Sequence, residues 1–214
     1  MSVSIENFVK TIYALNERAV AKTSTIADEL KISNAAVTDM AKKLCKKEYV
    51  NYEKYKSLSL TKKGKKLALS VIRKHRLWEL FLYTTFDFSL EEIHYEAELL
   101  EHQTSNFLLE KMDAFLNYPK FDPHGDPIPD VNGKITVIEN MISLSDASEN
   151  KVYTIIRLNS SNVAFFEICR GNEITIQQEI VVLKNYIDFI EIKYRNKIIV
   201  LPKDIAKYIE IILT

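Results

Sequence analysis

Apolar positions recur with a helical period near the start of the chain. Ile5, Phe8, Val9, Ile12 and Leu15 share one stripe of IENFVKTIYALNE, which predicts a helix over 5–17. A second helix reads from Thr25 to Leu30, with Ser24 or Thr25 as its cap. After the turn KIS, Ser33 caps a third helix, NAAVTDMAKKLCKKE, with Val37, Met40, Ala41 and Leu44 facing inward. Two short helices joined by so tight a turn form a helix-turn-helix. The period then changes to two, and YVNYEKYKSLSLT reads as a two-stranded hairpin. Together these elements make a winged helix.

Thr61 opens a long helix, TKKGKKLALSVIRKHRLWELFLYTTF. Ser89 and Glu92 form a capping box for the next, which reads on to about Leu116. NYPKFDPHGDPIPD holds four of the five prolines and ends the helical region. From Lys151 onward, VYTIIRL, VAFFEIC, ITIQQEIVVL, YIDFIEIKY and KIIVLP are five β-type runs, and DIAKYIEIIL reads as a last short helix. The fold class is therefore α+β. A winged helix spans 1–73, a helical domain 74–130, a linker 131–150, and a small SH3-like β-barrel 151–214.

A hydrophobic fraction of 47% over 214 residues is that of an ordinary globular protein. No run nears the roughly 18 apolar residues of a membrane span, and MSVSIENFVK lacks a signal-peptide pattern. The expectation is a cytoplasmic protein with no membrane partner. Cys45 and Cys169 lie in different elements, so two partly buried thiols are expected rather than a disulfide.

The zero net charge is segregated. Residues 1–74 hold 16 Lys and Arg against 7 Asp and Glu, a net +9. Residues 75–150 carry −11 and residues 151–214 carry +2. A basic winged helix suits DNA. Ser33, Asn34, Ala35, Ala36, Thr38 and Asp39 would meet base edges from the start of the recognition helix. Lys42, Lys43, Lys46 and Lys47 along it, and Lys54, Tyr55 and Lys56 at the wing, would reach phosphates.

The acidic middle suits divalent cations or a solvated helix face. All four histidines lie here beside carboxylates: His75 four residues before Glu79, His94 with Glu98, Glu101 and His102 in HYEAELLEH, and His124 between Asp122 and Asp126. Residues three and four apart share a helix face, and imidazole with carboxylate binds Mn(II), Fe(II) or Zn(II). No HExxH, Gly-rich phosphate loop or nucleophile motif appears, so no enzyme and no small-molecule substrate are expected. Two other readings stay open: a winged-helix regulator answering a small organic ligand, and a metal-dependent hydrolase with an accessory winged helix.

The order winged helix, RKHRLWELFL, IHYEAELLEH, FDPHGDPIPD and terminal barrel resembles the DtxR/MntR family of metal-dependent repressors. The likeness is to the manganese-type branch with a FeoA-like, SH3-like C-terminal domain. The resemblance implies a dimer that binds pseudo-palindromic operator DNA and controls metal-uptake genes. Residues 74–130 would carry metal binding and dimerisation. It implies one ion held by Asn7, Glu98, Glu101 and His102, and a second by His75, Glu79 and His94. Asp122 and His124 are added in some members, with Glu167, Gln177 and Gln178 as barrel candidates. Glu98, where iron-type members tend to have cysteine, favours Mn(II), with Fe(II) as the alternative. The stripe Leu80, Phe81, Leu99, Phe107, Leu108, Met112 and Phe115 would include the dimer interface.

Overall fold

The computed structural model describes residues 2–18, 20–53, 56–86, 88–160 and 162–214. Lys54 and Tyr55, expected at the wing tip, lie outside the described residues. The chain divides into two compact units. One comprises residues 1–78, 96–117 and 128–135, the other 79–95, 118–127 and 136–214.

The first unit is built on three short helices. Helix α1 spans Val3–Arg18, α2 Thr23–Leu30 and α3 Asn34–Lys46. The α1 stripe Ile5, Phe8, Val9, Ile12 and Leu15 packs with Ile26, Val37, Ala41 and Leu44 in one apolar core. Ser33 Oγ accepts from Ala36 N and caps α3 as expected. The cap of α2 is instead Lys22, which makes no side-chain bond, so Ser24 and Thr25 fall inside the helix. Strands β1 (Val50–Asn51) and β2 (Ser59–Leu60) form the hairpin, with Val50 opposite Leu60.

Helix α4 (Lys62–Phe86) begins where Thr61 Oγ1 accepts from Gly64 N. Gly64 is required there: a Cβ would meet Tyr49 O at 1.9 Å.

The helix read through to Leu116 is two helices, α5 (Leu90–Leu100) and α6 (Asn106–Phe115). Thr104 Oγ1 donates to Leu100 O, and Ser105 Oγ accepts from Leu108 N, so local side-chain bonds end one helix and start the other. The capping box at α5 is present. Ser89 N and Oγ donate to Glu92, holding that carboxyl below its ordinary range. In the same unit as α6, Arg73 donates to Asp113 and to Pro129 O, all deep in the packing.

The second unit carries an antiparallel sheet of order β3-β8-β4-β5-β6-β7. Its strands are β3 (Ile142–Ser143), β4 (Lys151–Leu158), β5 (Glu179–Asn185), β6 (Phe189–Tyr194), β7 (Lys197–Pro202) and β8 (Ile209–Leu213). Three expectations are corrected here. VAFFEIC is helix α7 (Val163–Gly171), because Phe165 and Cys169, four apart, are both buried and Asn162 Oδ1 caps Ala164 N. A short apolar run fits strand and helix alike until its partners are known.

In ITIQQEIVVL the regular strand starts only at Glu179; Gln177, at a positive φ of 61°, and Gln178 bond to Ile155 outside it. DIAKYIEIIL is a four-residue helix α8 (Lys203–Ala206) followed by β8, whose Ile209 and Ile211 alternate into the core against β4. The stretch 131–150 also contributes β3 and the buried Leu144 and Ala147.

Cys45 is exposed, contrary to expectation, while Cys169 is buried. Burial pushes the Cys169 thiol up to about 12, so it stays protonated in the fold. Its contribution to stability is complete below pH 9 and declines as pH rises toward 12, because only the unfolded chain can ionise. No described helix is long and apolar enough to cross a membrane.

Candidate metal centre

Helices α1 and α4, the end of α5 and the turn after it bring a cluster of polar side chains together in the first unit. Glu101 is fully buried. A buried carboxylate needs partners, and Lys10 and His75 supply them. Lys10 Nζ donates to its two oxygens at 2.8 and 2.9 Å. His75 Nδ1 lies 2.6 Å from Oε2, and His102 Nε2 lies 3.3 Å from Oε1. Lys10 also donates to Glu98 Oε2 at 2.6 Å, and His75 Nδ1 is 3.7 Å from the same oxygen. His75, Glu98 and Glu101 each offer a ligand atom within 4.8 Å of the others.

Two buried atoms, Asn7 Oδ1 on α1 and His102 Nε2, have no hydrogen-bond partner among the described residues. Unpaired buried acceptors are costly, so these call for an additional electrophile. Amide oxygen, carboxylate oxygen and imidazole nitrogen are donors that a first-row divalent ion accepts. The residues therefore fit such an ion. Spacing gathers Glu98, Glu101 and His102, the resemblance adds Asn7 on α1, and His75 joins Glu98 and Glu101.

A second cluster lies within the other unit. Glu79, Asp122 and His124, all buried, offer ligand atoms within 4.8 Å of one another. His94 Nδ1 is 3.1 Å from Glu79 Oε1, and His124 Nδ1 is 3.9 Å from Glu79 Oε2. His124 Nε2 is 3.1 Å from Leu90 O and donates to it, which leaves Nδ1 as the nitrogen with a lone pair. Asp122 Oδ1 accepts from His124 N and Asp126 N, closing the turn that aims the imidazole. Gly125 holds that turn at φ 90°, where a Cβ would meet Ile156 O at 2.0 Å. Among the described residues neither cluster includes Glu167, which is exposed, as is Gln177; Gln178 is half-buried.

Spacing alone missed Glu6 and the role of Lys10. Glu6 is a buried carboxylate on α1 whose Oε2 lies 2.7 Å from His102 Nδ1. Its only sequence signal is adjacency to Asn7. Lys10 places a positive charge between the Glu98 and Glu101 carboxylates, so part of the cluster's repulsion is already neutralised.

The predicted DNA surface is exposed at Ser33, Asn34, Ala35, Ala36, Asp39, Lys42, Lys43, Lys46 and Lys56. Thr38 is half-buried and its hydroxyl donates to Asn34 O. Lys56 pairs with Glu53 at 2.5 Å, and Lys42 lies 3.8 Å from Asp39.

Comparison with known proteins gives a consistent result. Residues 1–58 match the iron-dependent repressor N-terminal DNA-binding domain, and residues 61–130 the iron-dependent repressor metal-binding and dimerisation domain. The HTH-type transcriptional regulator MntR of Oceanobacillus iheyensis is 32% identical over 149 residues, covering 69% of this chain and 95% of that protein. MntR of Geobacillus thermodenitrificans is 36% identical over 116 residues, covering 54% and 82%.

Among solved structures, a manganese-dependent transcriptional repressor in complex with manganese has a TM-score of 0.88 at 25% identity, over 98% of this chain and 100% of that one. The manganese regulator SloR has a TM-score of 0.74 at 34% identity, covering 98% of each chain. ScaR with bound Cd2+ has 0.78 at 32%, covering 98% and 99%.

Proposed function

The chain belongs to the iron-dependent repressor family, and from that membership we infer a metal-dependent, DNA-binding transcriptional repressor activated by Mn(II). The observation that carries the metal assignment is the fully buried Glu101, grouped with His75 and Glu98 within 4.8 Å and 3.3 Å from His102 Nε2, a buried atom with no hydrogen-bond partner among the described residues. Hard oxygen donors at Asn7, Glu98 and Glu101 suit Mn(II), with Fe(II) as the competing ion. Glu79, His94, Asp122 and His124 are the proposed ligands of a second ion. A bound divalent ion supplies positive charge and fixed coordination directions at these donors.

The residues themselves explain how metal reaches DNA. Asn7, Glu6 and Lys10 lie on α1, the first helix of the winged helix, whereas Glu98 lies at the end of α5 and Glu101 and His102 in the turn that follows it. Holding both sets on one centre fixes α1 against α5, and so fixes the angle at which α3 is offered. Apolar side chains exposed on the first unit, at Leu99, Phe107, Leu108 and Phe115, suit the contact with a second copy. Met112 is 4% exposed and belongs to the core instead. In a two-fold dimer two α3 helices meet two half-sites, so metal shifts the population toward the spacing that matches an operator. The functional divisions at 73/74 and 130/131 follow these roles, β3, Leu144 and Ala147 belong with the C-terminal sheet, and metal-uptake genes are the proposed targets.

Metal binding is tested directly by EPR. Titrating the chain into Mn(II) is expected to remove the free-ion signal, and acidification, which protonates the ligand side chains, to restore it. Persistence of the full signal at high protein concentration would overturn the assignment. The DNA surface makes its own commitment. Lys43→Ala weakens binding to every sequence alike and lowers the salt slope by about one. A loss confined to one sequence would contradict a phosphate contact.

A further inference from the structure

Glu6 is a carboxylate in the first turn of α1 that is only 9% exposed, yet it belongs to neither group of ligand atoms. Its Oε2 sits 2.7 Å from His102 Nδ1. The other ring nitrogen, Nε2, is buried without a partner and lies 3.3 Å from Glu101 Oε1. The imidazole of His102 is thus held at one edge and open at the other, with the open edge facing the ligand carboxylate.

We propose that Glu6 is the positioning residue of the metal centre: it accepts the Nδ1–H of His102 and fixes the ring so that the Nε2 lone pair faces Glu101. This rests on the reading of the α1–α5 cluster as a metal site. A neutral imidazole carries its proton on either nitrogen, and the hydrogen bond at one decides which remains a ligand. A carboxylate behind a ligating histidine both orients the ring and raises its basicity.

The placement of Glu6 adds a consequence for the switch. Glu6 and Asn7 are neighbours on α1, and neighbouring residues of a helix point in different directions. Asn7 offers Oδ1 as a ligand atom, while Glu6 approaches the same centre from behind His102. The position of α1 therefore reaches the centre by two routes. A shift of α1 removes one ligand and frees the ring of another.

The test uses the full chain labelled with 15N-histidine, with His102 assigned by its loss in His102→Gln. In the metal-free wild type the His102 ring is expected as the Nδ1–H form. Glu6→Leu moves it toward the Nε2–H form and raises the Mn(II) dissociation constant by about 10–100-fold in the EPR titration. Glu6→Gln still offers an oxygen to Nδ1–H and keeps the Nδ1–H ring form, with a smaller loss of Mn(II) affinity than Glu6→Leu because only the charge is removed; a loss of packing would not separate the two readouts. Should Glu6→Leu fail to fold, Glu6→Asp, one methylene too short, replaces it and is expected to behave in the same way. An unchanged ring form or an unchanged Mn(II) affinity in the shortened or apolar variant overturns the proposal. If Mn(II) fails to broaden the wild-type His102 signal, the metal-site reading falls and this proposal with it. Broadening with equal affinity in all variants removes the role of Glu6 alone.

Discussion

Glu101→Ala is expected to abolish metal-stimulated DNA binding. Glu101 touches Lys10, His75 and His102 at once, and it is the only fully buried polar residue among the cluster's carboxylates Glu6, Glu98 and Glu101. Its removal deletes a ligand and leaves the cluster with one fewer negative charge opposite the Lys10 ammonium. Divalent binding is then lost on both counts. A metal response of about 100-fold corresponds to roughly 2.7 kcal/mol of coupling, and the variant should bind DNA as the wild type does in chelator. Glu101→Gln, which keeps the volume, should behave in the same way in the anisotropy assay. A variant that still answers Mn(II) with the wild-type gain would show that the α1–α5 cluster is not the activating site.

The largest effect on stability is expected at Asp113. Arg73 and Asp113 form a buried pair, 2.6 Å apart, each with 9% side-chain exposure. Arg73 also donates to Pro129 O, so one guanidinium joins α4, α6 and the proline-rich connection. Asp113→Ala leaves that guanidinium buried opposite a carbonyl alone, at a cost of about 3–5 kcal/mol. Replacing both partners, Arg73→Met with Asp113→Leu, should recover most of the loss, since an apolar pair needs no counter-charge. Urea unfolding distinguishes the outcomes: a change below about 1 kcal/mol in Asp113→Ala would mean that water reaches the site and the pair is not buried as described.

Much of the fold was legible because periodicity is a local property. The α1 stripe, the Ser33 cap, the Ser89–Glu92 box and the break at the prolines depend on neighbours within a turn or two. The errors arose where distant partners decide. VAFFEIC is helical because Phe165 and Cys169 both find the barrel core, and IEIIL is a strand because β4 is there to pair with it. The α5–α6 break depends on Thr104 and Ser105 taking local bonds that a helical pattern does not reveal.

The candidate site followed the same rule. Spacing at HYEAELLEH gathered Glu98, Glu101 and His102, but the placement of Lys10 and Glu6 depends on α1 packing against α5. No helical spacing within either segment encodes that contact. Asn7 entered through family resemblance, and its buried oxygen gives it a physical reason to be there.

The most direct measurement of the central claim is fluorescence anisotropy of the purified chain with DNA fragments from upstream of metal-transporter genes. It is run at one fixed salt concentration in chelator, in Mn(II), in anaerobic Fe(II) and in Zn(II). Binding that is weak in chelator and rises by about two orders of magnitude with Mn(II), at lower concentration than with the other ions, is the predicted result. Equal binding in chelator and in every metal would contradict it, and would leave Glu98, Glu101 and His102 a structural cluster neutralised by Lys10.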